Sequence, residues 1–285
     1  MMKLSDIHIR DPFILPYNGK YYMYGTRGKG CWDTCSGFDV YISNDLENWS
    51  EPVAVFEKSE GFWGKFEFWA PEVHHYNGKF YMFASFKSKI RHRATHILVS
   101  EKPDKMFCPV SEEPPTPKEW ESLDGTLYVS KEGTPYMVFC HEWTQIHDGE
   151  ICTVQLSEDL SRPIGEPFVL FKASEPCWAT GYKENCYVTD GPFLYRTEQG
   201  KLLMIWSSLI GNTYVEAVSY SDNGEIDGNW KHSDCPLFLE DGGHGMIFES
   251  FEKEKFFVFH SPNITPNERP RLVKIVEKDN TLKVV

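Results

Sequence analysis

Asp11, Glu72, Asp124, Asp190 and His244 head five similar short segments, at spacings of 61, 52, 66 and 54 residues. Carboxylates gathered in one cleft raise one another's pKa, so that some stay protonated and others ionised near neutral pH. Hydrolysis of a glycosidic bond uses that division. One carboxylic acid protonates the leaving oxygen while an ionised partner activates water or attacks carbon, the two lying ~5 to 5.5 Å apart in retaining enzymes and ~6.5 to 9.5 Å apart in inverting ones. The competing reading is a metal site, or carboxylates that cap strand ends and turns. A single Asp favours that competing reading; four carboxylates at corresponding repeat positions favour a catalytic site.

Something must bring such distant residues together, and the sequence repeats a unit that would. Five apolar hexamers read as buried strands: 21–26, 80–85, 136–141, 202–207 and 256–261. Four follow a hairpin signal, Asn18-Gly19, Asn77-Gly78, Glu132-Gly133 or Gln199-Gly200. A short strand precedes each turn and a third follows each hexamer, at 39–43, 96–100, 152–156, 215–219 and 272–276, with candidate fourth strands after Trp49, Pro167 and Pro236. Three or four antiparallel strands repeated five times, without a long amphipathic helix, predict an all-β chain folded as one five-bladed β-propeller domain over residues 1–285. Innermost strands of a propeller run in one direction, so their leading residues meet at one end of the central channel.

Composition narrows the partners. With 29 Lys plus Arg against 42 Asp plus Glu, the formal charge of −13 repels phosphate backbones and anionic lipid, which argues against nucleic acid and membrane surfaces. A neutral sugar is not repelled, and 15% aromatic residues suit stacking on sugar rings. No apolar run approaches a membrane span and the N-terminal residues lack an apolar export segment, so a cytoplasmic location is expected. The eight cysteines lack paired zinc-ligand spacing and read as reduced thiols, with Cys31–Cys35 or Cys177–Cys186 bridges as the alternative for a secreted protein. Oligomeric state leaves no trace in the sequence.

Arg10-Asp11-Pro12, Trp69-Ala70-Pro71-Glu72, Leu123-Asp124-Gly125, Asp190-Gly191-Pro192 and Gly243-His244-Gly245 resemble, in order and along the whole chain, the blade motifs of glycoside hydrolase family 43. The resemblance implies a five-bladed propeller and inverting hydrolysis of α-L-arabinofuranosides, arabinan, β-xylosides or xylan. It assigns Asp11 as general base and Asp124 as the carboxylate that tunes and orients the acid. The family carries Glu as that acid in the fourth blade, where this chain has the shorter Asp190. Three readings stay open: Asp190 is the acid in a repositioned frame, Glu142 of the His141-Glu142-Trp143 loop replaces it, or the protein binds sugar without turnover.

Substrate contacts are expected from Glu72, His244, Arg271 and the tryptophans Trp69 and Trp143, with Trp32, Phe68 and Trp178 also near the funnel face. The family resemblance also implies a structural calcium near His244, reached through water because a hard cation prefers oxygen ligands; catalysis is expected to need no cofactor. The leading expectation is an exo-acting glycosidase on an oligosaccharide or pentoside, an arabinofuranosidase or xylosidase of polysaccharide degradation. The alternatives are a fructosidase or mannoside phosphorylase on the same scaffold, and a non-catalytic sugar-binding propeller.

Overall fold

In the computed structural model, which describes residues 1–285 except for the side chain of Glu184, the repeats become five antiparallel sheets, each of four strands consecutive in the chain. The first holds β1 (Ile9–Tyr17), β2 (Lys20–Arg27), β3 (Gly37–Ser43) and β4 (Val53–Glu57). The second holds β5 (Phe66–Tyr76), β6 (Lys79–Ser88), β7 (Arg91–Ser100) and β8 (Cys108–Pro109). β9 (Ser122–Val129), β10 (Pro135–His141), β11 (Glu150–Leu156) and β12 (Pro163–Lys172) make the third. β13 (Asp190–Arg196), β14 (Leu202–Ile210), β15 (Thr213–Ser221) and β16 (Trp230–His232) make the fourth, and β17 (Gly243–Glu249), β18 (Lys255–Ser261), β19 (Arg269–Lys278) and β20 (Thr281–Val284) the fifth. The fourth strand of blade four thus precedes Pro236, and β12 begins before Pro167. A single α-helical turn, α1 (Trp143–Ile146), follows β10.

Local chemistry explains the hairpins and the core. Asn18-Gly19 and Asn77-Gly78 adopt positive φ at both residues (47° and 75°, 46° and 78°), the turn whose twist matches the flanking strands. Each second strand lies between neighbouring blades and is buried on both faces, as in Tyr21 to Thr26 and Leu202 to Ser208. Trp206, Phe83, Phe139 and Phe257 are fully buried there, each contributing roughly 1.5–3 kcal/mol of apolar burial.

Every first strand breaks register at one shared point, β5 carrying a second break between Phe66 and Trp69, and the five shared breaks position the site. Across from β2, Arg10 pairs Thr26 but the next pair is Phe13 with Tyr24. The same two-against-one bulge recurs at Trp69/Glu72, Leu123/Thr126, Asp190/Phe193 and Gly243/Met246. The residue that enters each bulge has positive φ: Asp11 53°, Ala70 48°, Asp124 55°, Gly191 50° and His244 52°. Gly191 has no alternative, since a Cβ there would meet the His244 ring at 2.7 Å.

The equivalent residues are therefore Asp11, Ala70, Asp124, Gly191 and His244. Glu72 lies two residues beyond its bulge and Asp190 one before, which corrects the phase read from the sequence. A ring of hydrogen bonds links the bulges. Thr26 Oγ1 accepts from the Ala70 N–H (2.7 Å), Ser85 Oγ from Asp124 (2.9 Å), Ser207 Oγ from His244 (2.6 Å) and His260 Nδ1 from Asp11 (3.2 Å). These acceptors face the bulge on the second strand of the preceding blade. In blade three that position is Cys140, a weak acceptor, and the Gly191 N–H turns to Asp124 Oδ2 instead (3.1 Å). Because the first and fifth sheets share no strand, side chains close the ring: the Asp11–His260 bond and the Arg10–Glu268 ion pair at 2.5 Å.

Candidate active site

The bulge residues form the floor of a funnel, and the residues just before them form its wall. Arg10, Trp69, Leu123 and Asp190 share that wall position, and all four line a cavity of about 480 Å³ together with Asp11, Asp124 and His244. Glu142, Trp143, Trp32, Tyr182 and Tyr214 complete much of its rim. The base candidate thus rises from the floor and the acid candidate projects from the wall, which gives the shorter Asp190 a place beside the cavity.

The environment separates the carboxyls. Burial alone would raise Asp11, but the charges of His244 and Arg10 and the Thr26 hydroxyl, 2.6 Å from Oδ2, hold it below the usual carboxylate range. Burial lifts Asp124 to about 6, with the Asp11 charge adding to the rise and His244 opposing it. Burial and then the Asp124 charge lift Asp190 to about 7, against His244 and the Tyr214 hydroxyl, which donates to Oδ2 at 3.1 Å. His244 is itself desolvated, yet Asp11 and Asp124 raise it to about 9. Its Nδ1 lies 3.4 Å from Asp11 Oδ1 and 3.7 Å from Asp124 Oδ2. At neutral pH the floor holds an ionised Asp11 beside an imidazolium, and the wall an Asp190 that still carries a proton for much of the time.

The other expected residues divide. Trp69 lines the cavity, its indole N–H bonded to the Cys31 carbonyl at 2.6 Å and its ring edge-on to Trp32 at 5.3 Å. Trp143 also lines the cavity, edge-on to Tyr182. Glu142 reaches the cavity but is buried as the ion-pair partner of Arg93, whose guanidinium also holds Glu67 and stacks over Trp69 at 4.2 Å. A carboxylate engaged in this way serves as a strut between Trp69 and α1. Glu72, two residues beyond its bulge, is buried below the floor against His74 (3.2 Å) and does not line the cavity. Arg271 is excluded from the site: it lies exposed on the third strand of blade five, over Phe238 and Phe259. Phe68 is fully buried core, and Trp178 packs on Trp206 away from the cavity.

His244 Nε2 is buried and has no hydrogen-bond partner among the described residues. Calcium needs six to eight oxygens, and among the described residues no three His, Cys, Asp or Glu side chains are grouped to hold a metal. Asp11 and Asp124 lie on the Nδ1 side. These residues do not fit a directly bound calcium, and no step below runs through one. All eight cysteines are free thiols.

A five-bladed propeller whose funnel holds Asp11 below the usual carboxylate range and lifts Asp190 to about 7 offers the two carboxyl states that glycoside hydrolysis uses. The chain belongs to family 43: the model of Glycosyl hydrolases family 43 matches residues 5–281. The crystal structure of an endo-arabinase from Bacteroides thetaiotaomicron VPI-5482 superposes with a TM-score of 0.93 at 36% identity, covering 99% of each chain. An endo-1,4-beta-xylanase from the same organism superposes with a TM-score of 0.79 at 25% identity, over 98% of this chain and 94% of the other. Extracellular endo-alpha-(1->5)-L-arabinanase 1 of Bacillus subtilis (strain 168) is 23% identical over 82% of this chain and 71% of its own. Xylosidase/arabinosidase 43A of Humicola insolens is 25% identical over 49% of this chain, a match that spans only 46% of that protein.

Proposed function

We propose that the protein hydrolyses α-L-arabinofuranosyl linkages of arabinan-type chains with inversion, Asp11 acting as general base and Asp190 as general acid. The ionisation split carries this reading: Asp11 is held below the usual range while Asp190 is lifted to about 7. Ionised Asp11 takes a proton from a water that attacks the anomeric carbon. Asp190 delivers its proton to the leaving oxygen, and the next turnover begins when the two carboxyls have exchanged protons with solvent. Asp124 binds the Gly191 N–H next to the acid and keeps Asp190 protonated through its charge. His244 balances the charge on the floor.

Similarity to an endo-arabinase supports the arabinan substrate, and three relatives named as endo-acting, two of them on arabinan, favour internal cleavage over the exo action expected from sequence. A β-xyloside is the second reading, favoured by the names of the fungal and xylanase relatives. Proton NMR during the first minutes of hydrolysis of an aryl arabinofuranoside tests the stereochemistry, with inversion expected. Retention would refute the mechanism. Arabino-oligosaccharides as first products from linear arabinan would support internal cleavage, and free arabinose alone would restore the exo reading.

A further inference from the structure

A second cavity, about 820 Å³, opens beside the hairpin that joins β6 to β7, lined by Trp63, Lys87, Lys89, Arg91, Lys118 and Glu113 among others. Its charge is opposite to that of the chain. Four Lys and Arg face two Glu here, Glu113 and Glu121, in a protein of net charge −13. Lys89 has no ion-pair partner among the described residues. Ile90 at the hairpin tip is 98% exposed.

The cavity shares an end of the propeller with the funnel. Glu121, three residues before Asp124, holds Lys87 at 3.0 Å and His92 at 2.9 Å, while its N–H bonds to Gln145 of α1 at 2.8 Å. That helical turn also presents Trp143 to the funnel. One feature marks the chemistry. The half-exposed Glu113 carboxylate is gripped by Arg91, whose guanidinium lies 5.0 Å from the centre of the Trp63 ring, and lies 3.6 Å from Lys118. A guanidinium and an ammonium around one carboxylate, beside an aromatic floor, would serve equally for a carboxylate brought by a ligand.

We infer that this cavity is an accessory subsite for carboxylate-bearing sugars, the uronic acid units of a glycan whose neutral furanosides enter the funnel. Glu113 stands where the ligand carboxylate would bind and competes with it. The inference rests on the glycan reading above and names the charged part of the substrate. Generic anion binding is the rival outcome.

The test is calorimetric titration of the full chain with trigalacturonic acid, arabinotriose and inorganic phosphate, beside turnover of an aryl arabinofuranoside. Trigalacturonic acid should bind, more weakly as salt is raised, and arabinotriose should not displace it. Reversing two cations with Lys89→Glu and Lys118→Glu should weaken that binding about tenfold and leave turnover unchanged, which also reports folding. Glu113→Gln should strengthen it. No binding, equal binding by the variants, displacement by arabinotriose or equally effective competition by phosphate would each overturn the inference. Loss of turnover in the unaltered protein, with trigalacturonic acid still bound, would count against the proposed function and not against this subsite.

Discussion

With Asp190 as the acid, Tyr214 is expected to set how far into the alkaline range turnover extends. Its hydroxyl donates to Asp190 Oδ2 at 3.1 Å, a bond that favours the ionised carboxylate and so restrains the rise that burial and Asp124 impose. Tyr214→Phe removes the donor and keeps the ring, which stacks near His260 with centroids 5.7 Å apart. A hydrogen bond to a charged group contributes about 1.5–3 kcal/mol. Part of it survives with the neutral acid, and one pKa unit is about 1.4 kcal/mol, so loss of the donor should raise Asp190 by about one unit. The sign follows from its role. An acid must be protonated, so activity falls as pH rises through the Asp190 value, about 7 in the unaltered protein. In Tyr214→Phe the alkaline limb of kcat/KM against pH should move upward by about one unit, the acid limb moving less because the pair titrates as a unit. An alkaline limb that stays put or moves down would refute the placement of the proton on Asp190.

Other outcomes follow from the same geometry. Asp11→Asn should fold and bind sugar but lose at least ~10²-fold in turnover; near-normal turnover would remove Asp11 from the mechanism. Glu216, fully buried under His244, is raised by burial to about 8, above its unfolded value, so the folded state keeps a proton that the unfolded chain has lost. Stability should therefore fall as pH rises toward 8, and Glu216→Gln should flatten the dependence of Tm on pH between about 5 and 8. An equally steep fall in the variant would show that Glu216 is not the group responsible. Because the His244 imidazolium balances Asp11 and Asp124, a calcium chelator should leave kcat unchanged; a loss restored by calcium would place an ion in the turnover-competent site.

The blades were legible because their signals are local: an apolar hexamer, an Asn-Gly turn before it, a short strand on either side. The phase of the bulges was less so. Asp11, Asp124 and His244 share one position, but the chemically prominent residues of the other blades, Glu72 and Asp190, stand two after and one before it. The proline or glycine following every bulge residue, Pro12, Pro71, Gly125, Pro192 and Gly245, carries the correct alignment in the sequence. Arg93 and Tyr214 sit on third strands, where nothing in the local pattern distinguishes a residue aimed at the funnel from one in a blade interior. Arg271 illustrates the reverse, a cation on the same kind of strand that faces outward. The ring of Thr26, Ser85, Ser207 and His260 needs the register between blades before it can be seen.

If the shorter Asp190, and not Glu142, protonates the leaving group, the rate must depend on the leaving group in a way that Asp190 alone sets. Aryl glycosides with good leaving groups hardly need an acid, whereas arabino-oligosaccharides do. With both substrates compared in Asp190→Asn and Glu142→Gln, Asp190→Asn should lose far more activity on the oligosaccharide than on the aryl glycoside. Glu142→Gln, which breaks the strut to Arg93, should weaken both in similar proportion. The opposite pattern, with the asymmetry in Glu142→Gln alone, would remove the acid role from Asp190 and move it to the loop of blade three.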